Sequence, residues 1–178
     1  LWKTKMPQYP LAEKCLANTH QVENQPPFLQ NYNMYLQDPA LQEAVKREGA
    51  SWAEQDLIEL GRLSGSQERI DWGIQANANK PTFQTHNRYG ARVDEVTFHP
   101  TYHQLMQDST NRDMHALPWN TPKQGAHVTR AALFYLQSQV EAAHLCPITM
   151  THACIPTLKK QLDIANDWIK KILNPHYD

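Results

Sequence analysis

Residues 130–158 read RAALFYLQSQVEAAHLCPITMTHACIPTL and hold most of the apolar side chains that could form the centre of a domain. In the first part, apolar residues recur at helical spacing and predict a long helix with one buried face. These residues are Val128, Ala132, Leu136, Val140 and Ala143. A second apolar helix begins at Cys146-Pro147, because proline suits the first turn of a helix. The stretch therefore predicts two consecutive helices at the centre of the fold.

Three polar side chains interrupt the second helix, namely Thr149, Thr151 and His152. Each would cost about 1–3 kcal/mol if it were buried without a hydrogen-bond partner. In one explanation, the hydroxyls bond to the carbonyl one turn earlier and His152 bonds a neighbouring helix. In the other, this helix lines a cavity for a partly polar ligand or meets another domain. Pro156 favours a local irregularity, because it removes the amide that would face the carbonyl of His152.

Composition limits the class of protein. A chain of 178 residues with 40% hydrophobic residues suffices for one domain with a real core. Its formal charge of −1 gives no overall attraction to nucleic acid, and no apolar run is long enough to cross a membrane. Three cysteines, Cys15, Cys146 and Cys154, favour reduced thiols and a cytoplasmic location. Because the first residue is Leu1, we expect a start inside a longer gene product or a processed end.

The order of elements predicts a mainly α-helical bundle with one short β-hairpin. Residues 1–37 are rich in proline, glutamine and asparagine and predict an extended amino-terminal arm, followed by a helical domain over residues 38–178. Asp38-Pro39 begins the first helix, and Ser51 with Glu54 predicts a capping box for the second. Alternating residues between Lys80 and Phe98 predict the hairpin, which needs support from the helices because two strands alone are marginally stable.

A search for chemistry finds no autonomous catalytic set. Nine histidines are present, but His99 and His103 are separated by Pro100, which spoils a shared helical face and disfavours a zinc site. No glycine-rich phosphate loop follows a strand. Glu141 is the one acidic residue in the central stretch, and a hydrogen-bonded structural carboxylate is the preferred interpretation over a general acid or base.

Five runs of the sequence match those of a known family. They are Gln25-Pro26-Pro27, residues 35–52 (YLQDPALQEAVKREGASW), residues 60–63 (LGRL), residues 94–100 (DEVTFHP) and residues 139–151 (QVEAAHLCPITMT). In this order, and without large gaps, they resemble the amino-terminal part of the AidB-like proteins within the acyl-CoA dehydrogenase superfamily. Several runs are exact, which makes the resemblance specific.

The resemblance implies an all-helical first domain, followed in complete members by a β-barrel-like domain and a carboxy-terminal helical bundle. Complete members bind FAD, form tetramers and dehydrogenate acyl-CoA thioesters, with a glutamate base and the flavin as hydride acceptor. AidB-like proteins are also linked to protection from alkylating agents and bind DNA through the carboxy-terminal region. For the complete protein we therefore expect FAD, acyl-CoA, the remaining domains and identical subunits as partners.

By the same resemblance, the segments that hold the flavin and the catalytic base come after Asp178, so no catalytic or cofactor-binding residue is assigned in this chain. The helix that carries Thr149, Met150 and Thr151 borders the acyl cavity in such a fold, and these three residues are the predicted substrate-channel residues. Whether the chain is itself an enzyme stays open. The alternative function is a free-standing helical domain that binds a protein partner or a fatty-acyl chain without catalysis.

Overall fold

The structure, a computed structural model, describes residues 23–177. Eight α-helices and one hairpin occur in this part of the chain. They are α1 (Pro39–Arg47), α2 (Glu54–Ser64), α3 (Gln67–Ala78), β1 (Thr82–His86), β2 (Arg92–Thr97), α4 (Pro100–Asn111), α5 (Leu117–Asn120), α6 (Ala126–Ser138), α7 (Leu145–Leu158) and α8 (Leu162–Ile172). The predicted fold class, mainly α-helical with one short hairpin, is confirmed.

The core lies where α6 packs against α1, α2 and α5. Leu136 of α6 and Leu57 and Leu60 of α2 are fully buried there. Most of the predicted arm, residues 1–22, lies outside the described residues, and its described part brings Tyr35 into the same core. A Cβ atom at Gly61 would overlap Tyr35, so glycine at this position lets the arm and α2 approach closely. The division into an arm and a helical domain stays a prediction.

The helix starts follow the sequence in two places and depart from it in a third. Asp38 Oδ1 accepts a hydrogen bond from the Leu41 amide (2.9 Å), so the predicted start of α1 is confirmed, and Ser66 Oγ accepts one from the Arg69 amide (3.3 Å) and caps α3 in the same way. The predicted capping box at Ser51 is wrong, because residues 51–53 form a 3₁₀ turn and no side chain caps α2. The indole of Trp52 donates instead to the Gln124 carbonyl (3.0 Å), and this tertiary contact fixes the turn.

The hairpin is antiparallel, with Thr82 opposite Thr97 and Phe83 opposite Val96. Side chains along both strands are exposed, so the expectation that the strands lean on the helices is wrong. At the base of the hairpin, the rings of Phe98 and Tyr102 stack with centroids 4.3 Å apart. The hairpin therefore adds nothing to the core that surrounds α6.

The predicted long helix ends at Ser138 rather than at Ala143. A turn follows because the Glu141 carboxylate accepts hydrogen bonds from the amides of Ala143 (2.7 Å) and His144 (2.8 Å), the groups at the start of α7. α7 then packs against α4 and α8. Among residues 23–177, no helix is long and apolar enough to cross a membrane.

Candidate functional site

The candidate site is the face of α7 that the rest of the described chain leaves uncovered. On one side of the helix, Leu145, Ile148 and Ile155 are buried. On the other side, Thr149 is exposed and 68% of the Met150 side chain is accessible to solvent. Small side chains flank Met150 along the helix, so it stands out as the one bulky group of an exposed apolar strip. An apolar helix with such a face is typical of a surface that meets a ligand or another domain.

The three predicted channel residues do not share one surface. Thr149 and Met150 lie together on the open face, whereas Thr151 is half-buried and lines a cleft of about 190 Å³ between α4, α7 and the residues after α8. Its hydroxyl donates to the Pro147 carbonyl (2.8 Å), which confirms for Thr151 the explanation by bonding one turn back. The cleft is also lined by His115 and Asn174, whose carbonyl oxygen lies 3.0 Å from His115 Nε2.

His152 connects α7 to α5, as one of the two sequence explanations predicted. The Trp119 indole donates to His152 Nδ1 (3.0 Å) and to the His152 carbonyl (3.2 Å). That carbonyl would face the amide of residue 156 in a regular helix, and Pro156 has none, so the indole supplies the missing donor. Burial, followed by electrostatic interactions with Arg130 and His127, lowers the pKa of His152 from 6.5 to about 4. The imidazole is therefore neutral at neutral pH.

The helix next to the site also exposes apolar side chains. In α8, Leu162 is 67% exposed and Trp168 is 55% exposed, while Ala165 is buried. Lys171 places its ammonium group 5.5 Å from the Trp168 ring centroid, a cation–π contact at the surface. Both helices at this side of the molecule thus present apolar groups to solvent.

A buried polar chain at the start of α7 was missed by sequence reasoning. Glu141 Oε2 lies 2.8 Å from His144 Nδ1, and His144 Nε2 lies 3.0 Å from Ser109 Oγ on α4. Glu141 is 4% exposed and the other two are fully buried. The three-residue spacing from Glu141 to His144 was a visible signal, but nothing in the sequence linked Ser109 to them. Predicting Glu141 as a hydrogen-bonded structural carboxylate agrees with these contacts.

The ionisation states of Glu141 and His144 follow from their burial and their hydrogen bonds. Burial lowers the pKa of His144 even though Glu141 opposes the shift. For Glu141, burial raises the pKa, but hydrogen bonds from the amides of His144 and Ala143 and from the imidazole outweigh it, so the pKa lies below 4.5. A neutral His144 donates from Nδ1 to an ionised Glu141 and accepts from the Ser109 hydroxyl at Nε2. This is the order of a hydrolase relay, but the fully buried Ser109 admits no substrate.

The described residues do not fit a flavin by themselves. A flavin nucleotide needs a slot for its ring and backbone amides or cations for its phosphates. Residues 23–177 contain no glycine-rich turn at the start of a helix that could hold the phosphates. Within the same residues, no group of three or more metal-binding side chains comes together.

Comparison with known proteins gives a consistent result for most of the chain. The model of the adaptive response protein AidB N-terminal domain matches residues 24–178. The putative acyl-CoA dehydrogenase AidB of Escherichia coli strain K12 is 45% identical over 162 residues, which is 90% of this chain and 30% of that relative. The chain thus spans about a third of the length of this curated relative.

Two solved structures share the fold. Caenorhabditis elegans ACDH-11 in complex with C11-CoA matches with a TM-score of 0.78 and 19% identity, covering 96% of this chain and 30% of that one. Bd2924 in its apo form matches with a TM-score of 0.76 and 21% identity, covering 83% of this chain and 30% of that one. At these identities the likeness concerns the arrangement of the helices.

Proposed function

Because the chain belongs to the AidB amino-terminal domain family, we propose that it is the amino-terminal helical domain of an FAD-dependent acyl-CoA dehydrogenase. In this proposal the open face of α7 forms part of the wall of the acyl channel. Thr149 and Met150 contact the acyl chain, and Thr151 supports the flank of that wall. The observation that carries the proposal is the exposed strip around Met150 on an otherwise apolar helix.

Physical chemistry supports a covered α7 in the complete protein. Burying a methionine side chain contributes roughly 1.5–3 kcal/mol relative to leaving it exposed, and here most of Met150 remains in water. An acyl chain offers a matching apolar surface, and the flexible thioether of methionine adapts to irregular shapes. The Thr149 hydroxyl adds one polar group, which fits a ligand that is apolar along its chain and polar at its thioester.

The rest of the proposal concerns the complete polypeptide. It oxidises acyl-CoA thioesters, with FAD as hydride acceptor, and works as a homotetramer in the cytoplasm in connection with the alkylation response. We place the flavin and the catalytic base in parts of the complete polypeptide other than residues 23–177. This domain contributes binding surface and the exclusion of water from the acyl chain. The free thiols of Cys146 and Cys154 agree with a reducing compartment.

The proposal is tested by titrating C11-CoA, the ligand of a structural relative, into the complete flavin-loaded polypeptide. Met150→Glu should weaken binding by about tenfold or more, because a carboxylate would be desolvated against the acyl chain. Ile74→Glu is the matched control, since Ile74 is 54% exposed on α3. Equal effects of the two variants would contradict the channel wall.

The isolated chain separates this function from the free-standing alternative. We expect residues 1–178 alone to be colourless and to bind C11-CoA weakly, because one wall cannot enclose the ligand. Tight binding of C11-CoA by the isolated chain would favour a free-standing acyl-binding domain. Tight binding of FAD by the isolated chain would contradict the location of the flavin site outside these residues.

A further inference from the structure

We propose that Glu141, His144 and Ser109 are positioning residues that set the place of α7 and thereby the acyl-chain preference of the wall formed by Met150. This inference rests on the proposed function and assigns the acyl-chain preference of that function to three buried polar residues. None of the three side chains contacts the open face, because all three are buried. They act through the helix that carries Met150.

The start of α7 is held by the polar side chains Glu141 and His144. The Glu141 carboxylate bonds two backbone amides and the His144 ring within 2.8 Å, so four groups meet at the amino-terminal end of the helix. A negative charge at this end is stabilised by the helix dipole. Glu141 bonds the amides of Ala143 and His144, the two residues directly before α7, so the direction in which the helix starts depends on this carboxylate.

Ser109, at the other end of the three polar residues, lies on α4, which an ion pair joins to α3. Ser109 follows Asp108 on α4, and Asp108 forms a bidentate ion pair with Arg69 of α3 at 3.1 and 3.2 Å. The turn before α7 also touches α3, since a Cβ atom at Gly73 would overlap the carbonyl oxygen of Val140. The hydrogen bond between His144 and Ser109 therefore fixes α7 relative to α3 and α4.

The start of α7 and Met150 are close enough along the helix to move together. Met150 lies six residues after His144 on the same helix, a rise of about 9 Å. A small rotation of the first turn, accommodated by the buried Leu145 and Ile148, would therefore also move Met150. Because Met150 is 68% exposed, its position depends mainly on that of the helix.

The experiment uses the complete flavin-loaded polypeptide and measures the Kd of C11-CoA and of shorter straight-chain acyl-CoA thioesters by calorimetry, with the Tm recorded in parallel. Glu141→Gln should raise the Kd of C11-CoA by about tenfold and flatten the dependence of Kd on chain length. Ser109→Ala should do the same by about threefold. Glu95→Gln on the exposed hairpin is the matched control and should leave both quantities unchanged.

The outcomes are distinct. A lower Tm with an unchanged Kd and an unchanged chain-length profile would show that the polar chain only stabilises the fold, and would overturn the positioning role. If Glu141→Gln does not fold, Ser109→Ala decides, because it removes one hydroxyl without changing the charge. If the unaltered polypeptide binds no acyl-CoA, the proposed function itself fails, and the positioning role fails with it.

Discussion

The two helices of the central stretch, α6 and α7, use their apolar side chains in different ways. α6 places Leu133 and Leu136 in the core that it shares with α1 and α2. α7 is at least as apolar in sequence, yet it buries Ile148 and Ile155 and leaves Met150 in solvent. Apolar content alone therefore does not identify the core. An apolar excess that the domain does not bury identifies the side that meets a ligand or another part of the protein.

The largest expected effect tests the α6 side of this comparison. Leu136→Ala should lower the free energy of unfolding by about 2–5 kcal/mol, because the fully buried side chain leaves a cavity. Leu162→Ala on α8 is the matched control, since Leu162 is 67% exposed, and it should change stability by less than about 0.5 kcal/mol. Urea denaturation of both variants measures the difference. Similar losses would show that α8 belongs to the core and would remove the contrast.

The dependence of stability on pH tests the environment of His152 on α7. The pKa of His152 falls from 6.5 to about 4 in the folded chain, so the unfolded chain takes up a proton over this range while the folded chain does not. Stability should therefore be complete above pH 6.5 and decrease as the pH falls toward about 4, by on the order of 1 kcal/mol, because solvent screens the partly exposed ring. The lowered pKa values of His144 and Glu141 act in the same direction.

His152→Gln should reduce this pH dependence, because an amide oxygen can accept from the Trp119 indole and does not titrate. Urea denaturation at several pH values, compared between the variant and the unaltered chain, measures the change. An identical slope in both proteins would contradict a neutral His152 in the folded chain.

A smaller effect is expected where α7 meets α5. Trp119→Phe removes the indole donor and leaves the carbonyl of His152 without a partner next to Pro156, at a cost of about 1–2 kcal/mol. Trp168→Phe changes an indole that is 55% exposed and should cost little. Thermal unfolding compares the two variants. A loss of stability from Trp168→Phe as large as that from Trp119→Phe would contradict a specific stabilising role for the Trp119 indole.

The smallest expected effect is that of Thr151→Val. Its hydroxyl bonds the carbonyl of Pro147 within the same helix, so its removal should change stability by less than about 1 kcal/mol. Thermal unfolding beside Leu136→Ala measures this directly. A loss as large as that of Leu136→Ala would mean that the threonine packs as core, and Thr151 would then have no place at the flank of the channel.

Residues within one turn of a helix start can mark that start in the sequence. Asp38, Ser66 and the proline after His99 act within one turn, and the structure places the starts of α1, α3 and α4 at these residues. Ser51 is a residue of the same type, but it lies in a 3₁₀ turn instead of capping α2. The next residue, Trp52, contacts Gln124, which is 72 positions away in the sequence. No pattern confined to one helical turn can report such a distant partner.

The candidate site was predictable in part. The helix with Thr149 and Met150 was identified from its apolar character and its resemblance to a family, but the face to which each residue turns was not. That depends on the turn at Glu141, which shortens α6 and sets the phase of α7. The bond from His144 to Ser109 spans 35 positions and could not be read from spacing within one helix.

The exposed hairpin makes one part of the molecule modular. Its strands bury no side chain, and nothing lies within 4 Å of a Cβ atom built on Gly90 at the tip. Exposed tips of this kind tolerate added residues well. A fluorophore, an affinity tag or a longer insertion between Asn87 and Gly90 can therefore be carried there while α6 and α7 keep their packing.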